Sequence, residues 1–298
     1  MTRSCAAAAL VLTGLTVFVG ACTPARRSAP APAPLPLPRS AETPRAERPV
    51  SLPTRLVSTT WRVRSLATIA IRGPGASSSE QRVESSGVVS WRFDRQPSGA
   101  LKGAGQVDSF SVRPSFDATT PSIVPAMPAM PALLLLDAVV DSGVARVTTR
   151  PPLVNECDRP EAAAAALARE LLVRIPDGVR RGQQWKDSTV SLICRSGVPL
   201  VIQTVTVSTL GRIDGERLVV AREIRSTLRG TGGSAFRALE LSGTGQGSQR
   251  VEISPSRGTV ERLEGTSTLS LQATERLPGS PARVQQVTQR VDIRAERP

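Results

Sequence analysis

The segment that decides the fold is Trp61–Ile71, which reads WRVRSLATIAI. Apolar or small residues alternate here with polar ones. One face carries Trp61, Val63, Ser65, Ala67, Ile69 and Ile71, and the other carries Arg62, Arg64 and Thr68. A period of two places successive side chains on opposite faces of an extended chain. The segment therefore predicts a β-strand with one buried face.

The same alternation recurs along most of the chain. A second strand is predicted near Arg82–Asp94, with Val89, Trp91 and Phe93 inward, and a third near Gln106–Val112. Further strands are predicted near residues 133–136, 139–147, 188–194, 198–210, 217–228, 235–242, 248–254, 259–273 and 283–294. The expected fold is mainly β: about ten antiparallel strands in a curved sheet, an open barrel or a sandwich, with one short helix.

The single helix is predicted to begin near Asp158. Asp158 suits the N-cap, Pro160 suits the first turn and Glu161 completes a capping box. An apolar stripe follows, formed by Ala164, Leu167, Ala168, Leu171 and Leu172. The sequence Pro-Asp-Gly at residues 176–178 is expected to end the helix.

The N-terminus has the pattern of an export signal. Arg3 precedes the apolar run Cys5–Val19, which is too short to span a bilayer stably. The run ends in Val19-Gly20-Ala21-Cys22, which resembles the lipobox of bacterial lipoproteins. An ordinary secretory signal cleaved beside a cysteine is the alternative.

The lipobox resemblance implies a modified and anchored N-terminus. Cys22 would carry a diacylglycerol, cleavage would fall between Ala21 and Cys22, and the new N-terminus would be acylated, for example with palmitate. Two or three acyl chains hold a protein at a membrane essentially permanently. Thr23, where Asp would favour retention, implies sorting to the outer membrane and a location at its periplasmic face.

Three regions follow from this interpretation. Residues 1–21 form a signal peptide, residues 22–53 form the lipidated Cys22 and a linker rich in Pro and Ala, and residues 54–298 form the β-rich body. Alternating prolines favour extended polyproline II, so the linker is expected to hold the body away from the membrane.

Two cysteines remain for the body. Cys157 and Cys194 form an even pair in an oxidising compartment, which favours a disulfide. A metal or redox pair is the alternative. Because the chain has no histidine and no CxxC, a zinc site would need carboxylates such as Glu156 and Asp158.

The absence of histidine excludes the commonest catalytic machinery. No Ser-His-Asp or Cys-His arrangement is possible, and no P-loop, GxSxG or SxxK motif occurs. A GxGxG match at Gly243–Gly247 has no helix after it, so turn or bulge glycines are expected.

The carboxylates that could be paired for glycoside chemistry are Asp94, Asp108, Asp137, Asp141, Glu156 and Asp158. Nothing in their spacing singles out two of them.

Tryptophans and charge bear on binding. Trp61 and Trp91 are expected in the core, whereas Trp185 lies at a predicted loop and is open to a role such as stacking on sugars. The net charge of +13 comes almost wholly from arginine and could favour anionic lipid or acidic polymers. Scattered arginines and an aromatic content of 3% argue against nucleic acid.

These observations predict a non-enzymatic envelope lipoprotein with a structural or interaction role and no cofactor. Its expected partners are the membrane, through the N-terminal lipid, and an apolar ligand or an envelope protein. The alternative is a carrier of a lipid or other apolar ligand. The body is loosely similar in layout to open-barrel carriers of the LolA/LolB type, a likeness that rests on strand number and anchor rather than on a motif.

The cysteine pair gives a first prediction. Peptide mapping without reduction should find Cys157 linked to Cys194, and replacing both with serine should lower the free energy of unfolding. The loop of roughly 38 residues corresponds to about 4 kcal/mol in the chain-entropy model. Cys5→Ser is the matched control and should leave the stability of the mature protein unchanged. Two free thiols in the exported protein would contradict the disulfide.

Overall fold

The structure is a computed structural model, and it describes residues 49–53, 57–73, 79–98, 100–115, 133–141, 144–152, 160–195, 198–214, 217–234 and 237–298. Its elements in chain order are β1 (Val57–Arg72), β2 (Ser79–Arg95), β3 (Leu101–Ser115), β4 (Leu133–Asp141), β5 (Val144–Arg150), α1 (Pro160–Arg169), β6 (Gln184–Arg195), β7 (Val198–Asp214), β8 (Arg217–Ser234), β9 (Arg237–Ser254), β10 (Thr259–Arg276) and β11 (Arg283–Glu296). The mainly β fold with one helix is confirmed.

The strands form one antiparallel sheet in the order β5-β4-β3-β2-β1-β11-β10-β9-β8-β7-β6. The sheet curves into a nearly closed barrel. Strands β1 to β5 form one meander and β6 to β11 form a second. The first and last strands join the two meanders, with Arg62 opposite Glu296 and Arg72 opposite Gln286. β5 and β6 are the two ends of the sheet, and they lie side by side without a hydrogen-bonded ladder between their described residues.

The inner face of the barrel is apolar at both ends. The larger core lies where α1 packs, and it includes Trp61, Val89, Trp91, Leu263 and the helix residue Leu167. A second core brings together strands from opposite sides of the sheet, formed by Ile69, Val83, Leu228, Leu271 and Val287. A third core is formed by Val198, Leu200, Leu239 and Leu241 on β7 and β9.

The segment before β1 belongs to the folded body. Val50 and Leu52 are buried, although both fall within the predicted linker. The amide of Val50 donates to the carbonyl of Val179 at 2.9 Å, and the amide of Gly178 donates to the carbonyl of Val50 at 3.0 Å. The body thus includes residues from at least Val50, which is earlier than the predicted boundary at 54.

The helix is shorter than its apolar stripe suggests. It begins at Pro160, as a proline in the first turn predicts, and it ends at Arg169. After Arg169 the amides of Leu171 and Leu172 bond to carbonyls three residues earlier, which is a tighter turn than the α-helix makes. Leu171 and Leu172 are nevertheless buried, so the stripe correctly predicted the contact and not the helix end.

The prediction for Gly243–Gly247 was wrong. These residues lie in the middle of β9, which runs unbroken through the two segments predicted as separate strands, and their pairing with β8 and β10 is continuous. They form neither a turn nor a bulge. The described bulges lie elsewhere, at Ser86/Val88, Leu210/Arg212 and Val260/Arg262. Strand glycines here let the sheet curve tightly, since a Cβ at Gly247 would meet Cβ of Ser267 at 2.8 Å.

Another strand glycine makes room for a core tryptophan. The indole of Trp91 lies over Gly105 on the neighbouring strand, and a methyl group at Gly105 would overlap the ring. We expect Gly105→Ala to lower the free energy of unfolding by about 1–3 kcal/mol, the usual cost of overpacking a core. Urea unfolding monitored by tryptophan fluorescence measures this.

Gly245→Ala is the matched control for that prediction. A Cβ at Gly245 would meet its nearest neighbours at ordinary contact distances of 3.5 and 3.6 Å. Because alanine is less flexible in the unfolded chain, this variant should be neutral or slightly stabilised. Equal unfolding curves for the two variants would contradict the packing of Trp91 on Gly105.

Candidate functional site: the buried polar cluster and the outer wall

A cluster of polar side chains lies on the inner face beside the end of α1. Arg222 on β8 faces Gln249 on β9 directly across the ladder, and its Nη1 donates to Oε1 of Gln249 at 2.6 Å. Nε2 of Gln249 donates in turn to Oε2 of Glu170 at 2.9 Å. One relay of hydrogen bonds thus connects two strands to the residue that follows the helix.

An ion pair lies on the same side of the barrel. Nε of Arg174 donates to Oδ1 of Asp187 on β6 at 2.7 Å, and both side chains are largely buried. The carbonyl of Arg174 accepts from the indole N–H of Trp185 at 2.9 Å. The chain that leaves α1 is therefore attached to β6 through both the side chain and the backbone of Arg174.

The charges of this cluster balance. Burial lowers the pKa of the Arg222 guanidinium, and the negative charges of Glu170 and Asp187 oppose the shift. Two arginines and two carboxylates therefore leave no net charge for a ligand. Nε of Arg222 and Oγ of Ser208, which lie on directly paired residues, are buried and have no hydrogen-bond partner. The arrangement is suited to fixing the residues that follow α1, Glu170 and Arg174, against the strands.

A third buried cation, Arg95, contacts the chain that follows α1 at Ile175. Arg95 on β2 donates to the carbonyl of Ile175 at 3.3 Å and to that of Gly258 at 3.0 Å. Burial lowers the pKa of Arg95 to about 10, with the charge of Asp177 opposing the shift. Arg95 therefore bridges the chain after α1 to the turn between β9 and β10.

The three tryptophans are structural. Trp61 and Trp91 lie in the core as predicted, and Trp185 is also buried. The indole N–H of Trp61 donates to the carbonyl of Val260, that of Trp91 to Ala168 and that of Trp185 to Arg174. None of the three rings is exposed enough to stack on a sugar.

The outer wall is charged along much of the barrel. Outward positions of β8 to β11 form a lattice in which arginines contact carboxylates on the same or the next strand. Its ion pairs are Arg217–Glu252, Arg250–Glu252, Arg262–Glu264, Arg294–Glu264, Arg294–Glu296, Arg290–Asp292 and Arg276–Glu240. A barrel that spans a membrane presents an apolar band to lipid on this face. The charged lattice is instead typical of a wall in contact with water.

Two exposed apolar strips interrupt that wall near β5 and β6, the two strands at the ends of the sheet. Leu133, Leu135 and Val139 point outward from β4. Val190 and Leu192 on β6, with Val201 on β7, form the second strip. Contiguous exposed apolar surface of this kind marks an interaction site more often than single exposed residues do.

The residues predicted as sites fall largely outside the described residues. Ala21, Cys22, Cys157, Glu156 and Asp158 lie there, so lipidation, cleavage and the disulfide stay predictions. Cys194 lies in β6, opposite Pro199. Asp94 and Asp141 are exposed, Asp108 accepts a hydrogen bond from Gln106, and Asp137 pairs with Arg150.

The sequence prediction missed the members of the buried cluster. One signal was present: Arg222 occupies an inward position of its strand, between Val220 and Ile224. A charge in that position indicates a buried partner. Glu170 gave no such signal, because the helix pattern places it among solvent-facing residues.

Comparison with known proteins shows only distant similarity of shape. No protein-family model matches the chain, and no curated protein matches it. Among solved structures, OccAB4 of Acinetobacter baumannii has a TM-score of 0.24 at 5% identity, over 80% of this chain and 99% of that one. A mutant porin of Rh. blastica has a TM-score of 0.19 at 9% identity, over 79% of this chain and 99% of that one. Such scores carry no functional argument, and the likeness to the LolA/LolB type stays a prediction.

Two kinds of feature are absent from the described residues. Within those ranges no helix is both long and apolar enough to cross a bilayer. The same ranges hold no group of three or more Cys, Asp or Glu side chains arranged to bind a metal ion.

The buried cluster yields a prediction about stability. Arg222→Met leaves Oε1 of Gln249 without its donor and the Glu170 carboxylate without a nearby cation, so the free energy of unfolding should fall by about 2 kcal/mol. The double variant Arg222→Met with Glu170→Gln should recover part of the loss, because no unpaired charge remains. Urea unfolding of the four proteins in the cycle gives the coupling energy.

Arg225→Met, three residues along the same strand, is the control for that cycle. Its side chain points outward, so the change should stay within about 0.5 kcal/mol. Additive effects of the Arg222 and Glu170 substitutions would contradict an electrostatic link between them.

Proposed function

We propose that this protein is a lipid-anchored barrel of the cell envelope that acts without catalysis, by presenting its outer wall to a partner. The anchor is the acylated Cys22, and the location is the periplasmic face of the outer membrane. The proposal combines the lipobox sequence with the arrangement of the body.

The packing of side chains on the inner face is the observation that carries the proposal. The helix, the residues that follow it and the inward side chains of the strands pack into apolar cores. The buried charged groups are hydrogen-bonded within the protein. The exposed strips on β4 and on β6–β7 lie on the outside. These strips support binding on the outer wall.

A carrier of an apolar ligand is the alternative, and the inner face supports it less well. Between the two apolar cores, inward positions of β8 to β10 hold Ser226, Gly245, Gly247 and Ser267. The hydroxyl of Ser226 is already bonded to that of Thr204 at 2.9 Å. An apolar chain placed there would desolvate hydroxyl and backbone groups without new partners. Lipid that copurifies with the native protein would favour the carrier.

The anchor is tested in cells. Wild-type protein should incorporate radiolabelled palmitate and fractionate with membranes, whereas Cys22→Ser should lose the label and leave an uncleaved signal. Cys5→Ser, which changes a cysteine of the same apolar run, should behave as wild type. Absence of label from the wild type, or label retained by Cys22→Ser, would overturn the lipid anchor.

A further inference from the structure

One part of the outer wall differs from the rest in both charge and polarity. We define the β6–β8 face as the outward residues of three paired rows. The rows are Leu192–Val201–Arg229, Val190–Gln203–Thr227 and Ser188–Val205–Arg225. Val190 is 66% exposed, Leu192 46% and Val201 37%, so this face holds the most exposed of the large apolar side chains among the described residues.

The arginines of this face are unpaired. Among the described residues, neither Arg225 nor Arg229 forms an ion pair or a side-chain hydrogen bond, whereas arginines of the lattice on β8 to β11 contact carboxylates. The next row along these strands, Lys186–Val207–Glu223, adds one cation and one carboxylate. At the other end of the face, Glu240 lies opposite Thr231 and forms an ion pair with Arg276. Two unpaired cations thus lie directly beside an apolar strip.

The face is also indented. An open groove of about 180 Å³ is lined by Val201, Gln203, Thr227, Leu228 and Arg229. Arg229 and Val201 therefore line the same depression, and Leu192 lies opposite Val201 on the neighbouring strand. Apolar side chains in contact with a cationic rim are the composition of surfaces that lie in the interfacial region of a bilayer.

We propose that the β6–β8 face docks on a bilayer surface that contains anionic phospholipid. Val190, Leu192 and Val201 would contact the acyl boundary, and Arg225 and Arg229 would contact phosphates of the head groups. A second copy of the chain is a poorer occupant, because it would bring four unpaired arginines together. The choice of a membrane over an acidic protein rests on the proposed tether, which keeps the body near a bilayer.

The test uses the purified full chain with Cys22→Ser, so that acylation plays no part in it. Binding is measured by flotation with vesicles of phosphatidylcholine, with or without phosphatidylglycerol, at low and raised salt. The N-terminal apolar run contributes equally to every variant. The difference between the two vesicle types therefore reports electrostatic attraction, and the arginine variants show which face is responsible for it.

Arg225→Glu with Arg229→Glu should weaken binding to the anionic vesicles about tenfold or more, and raised salt should remove most of the difference. Val190→Ser with Leu192→Ser should weaken binding to the same vesicles severalfold at either salt. Arg64→Glu with Arg92→Glu makes the same charge change on the exposed outer face of β1 and β2 and should lower binding much less. Thermal unfolding of each variant checks that the barrel is intact.

Three results would overturn the proposal. Equal losses from the two pairs of arginine variants would indicate attraction by net charge alone. Unchanged vesicle binding in the β6–β8 variants would show that the face is not used. If those variants instead abolished self-association or capture of an acidic protein, the face would be a protein interface. Each result stands apart from the palmitate experiment, which tests the anchor itself.

Discussion

The hydrogen bonds of three buried indoles are the constraint on which the rest of the structure depends. Each N–H points from the inner face of the sheet to a backbone carbonyl: Trp61 to the strand β10, Trp91 to the helix and Trp185 to the chain after the helix. A helix end buried inside a barrel needs partners for its last carbonyls. Trp91 supplies one of these partners, at Ala168, and Trp185 holds the chain that follows the helix, so the end of the helix can lie against the inner face.

The packing of the inner face separates two electrostatic environments. Inside, charged groups are few and are hydrogen-bonded to carboxylates, to Gln249 or to backbone carbonyls, since an unsatisfied charge would be costly away from water. Outside, arginine dominates, and solvent together with neighbouring carboxylates accommodates most of it. The β6–β8 face departs from this arrangement, which is why its unpaired arginines and exposed valine and leucine indicate a partner.

Alternation in the sequence was enough to predict the sheet. The positions of Trp61, Val89 and Trp91 on the inner face, and the start of the helix at Pro160, are as the pattern indicated. The helix end was not predictable, because Leu171 and Leu172 are buried whether or not the chain stays helical. The middle of β9 was missed since glycines usually weaken a strand, whereas here Gly243 and Gly247 admit the close approach of β10. The buried cluster depends on contacts between residues far apart in sequence, which spacing cannot reveal.

The pairing of β1 with β11 has a consequence for how the chain folds. The two half-sheets can assemble from neighbours in the sequence, but they meet only through the first and the last strand. Contacts between residues so far apart in the sequence form slowly during folding. A chain synthesised from its N-terminus therefore stays an incomplete sheet, with the bare edge of β1 available to the wrong strand, until its last residues emerge. Protection of that edge would matter most in that interval.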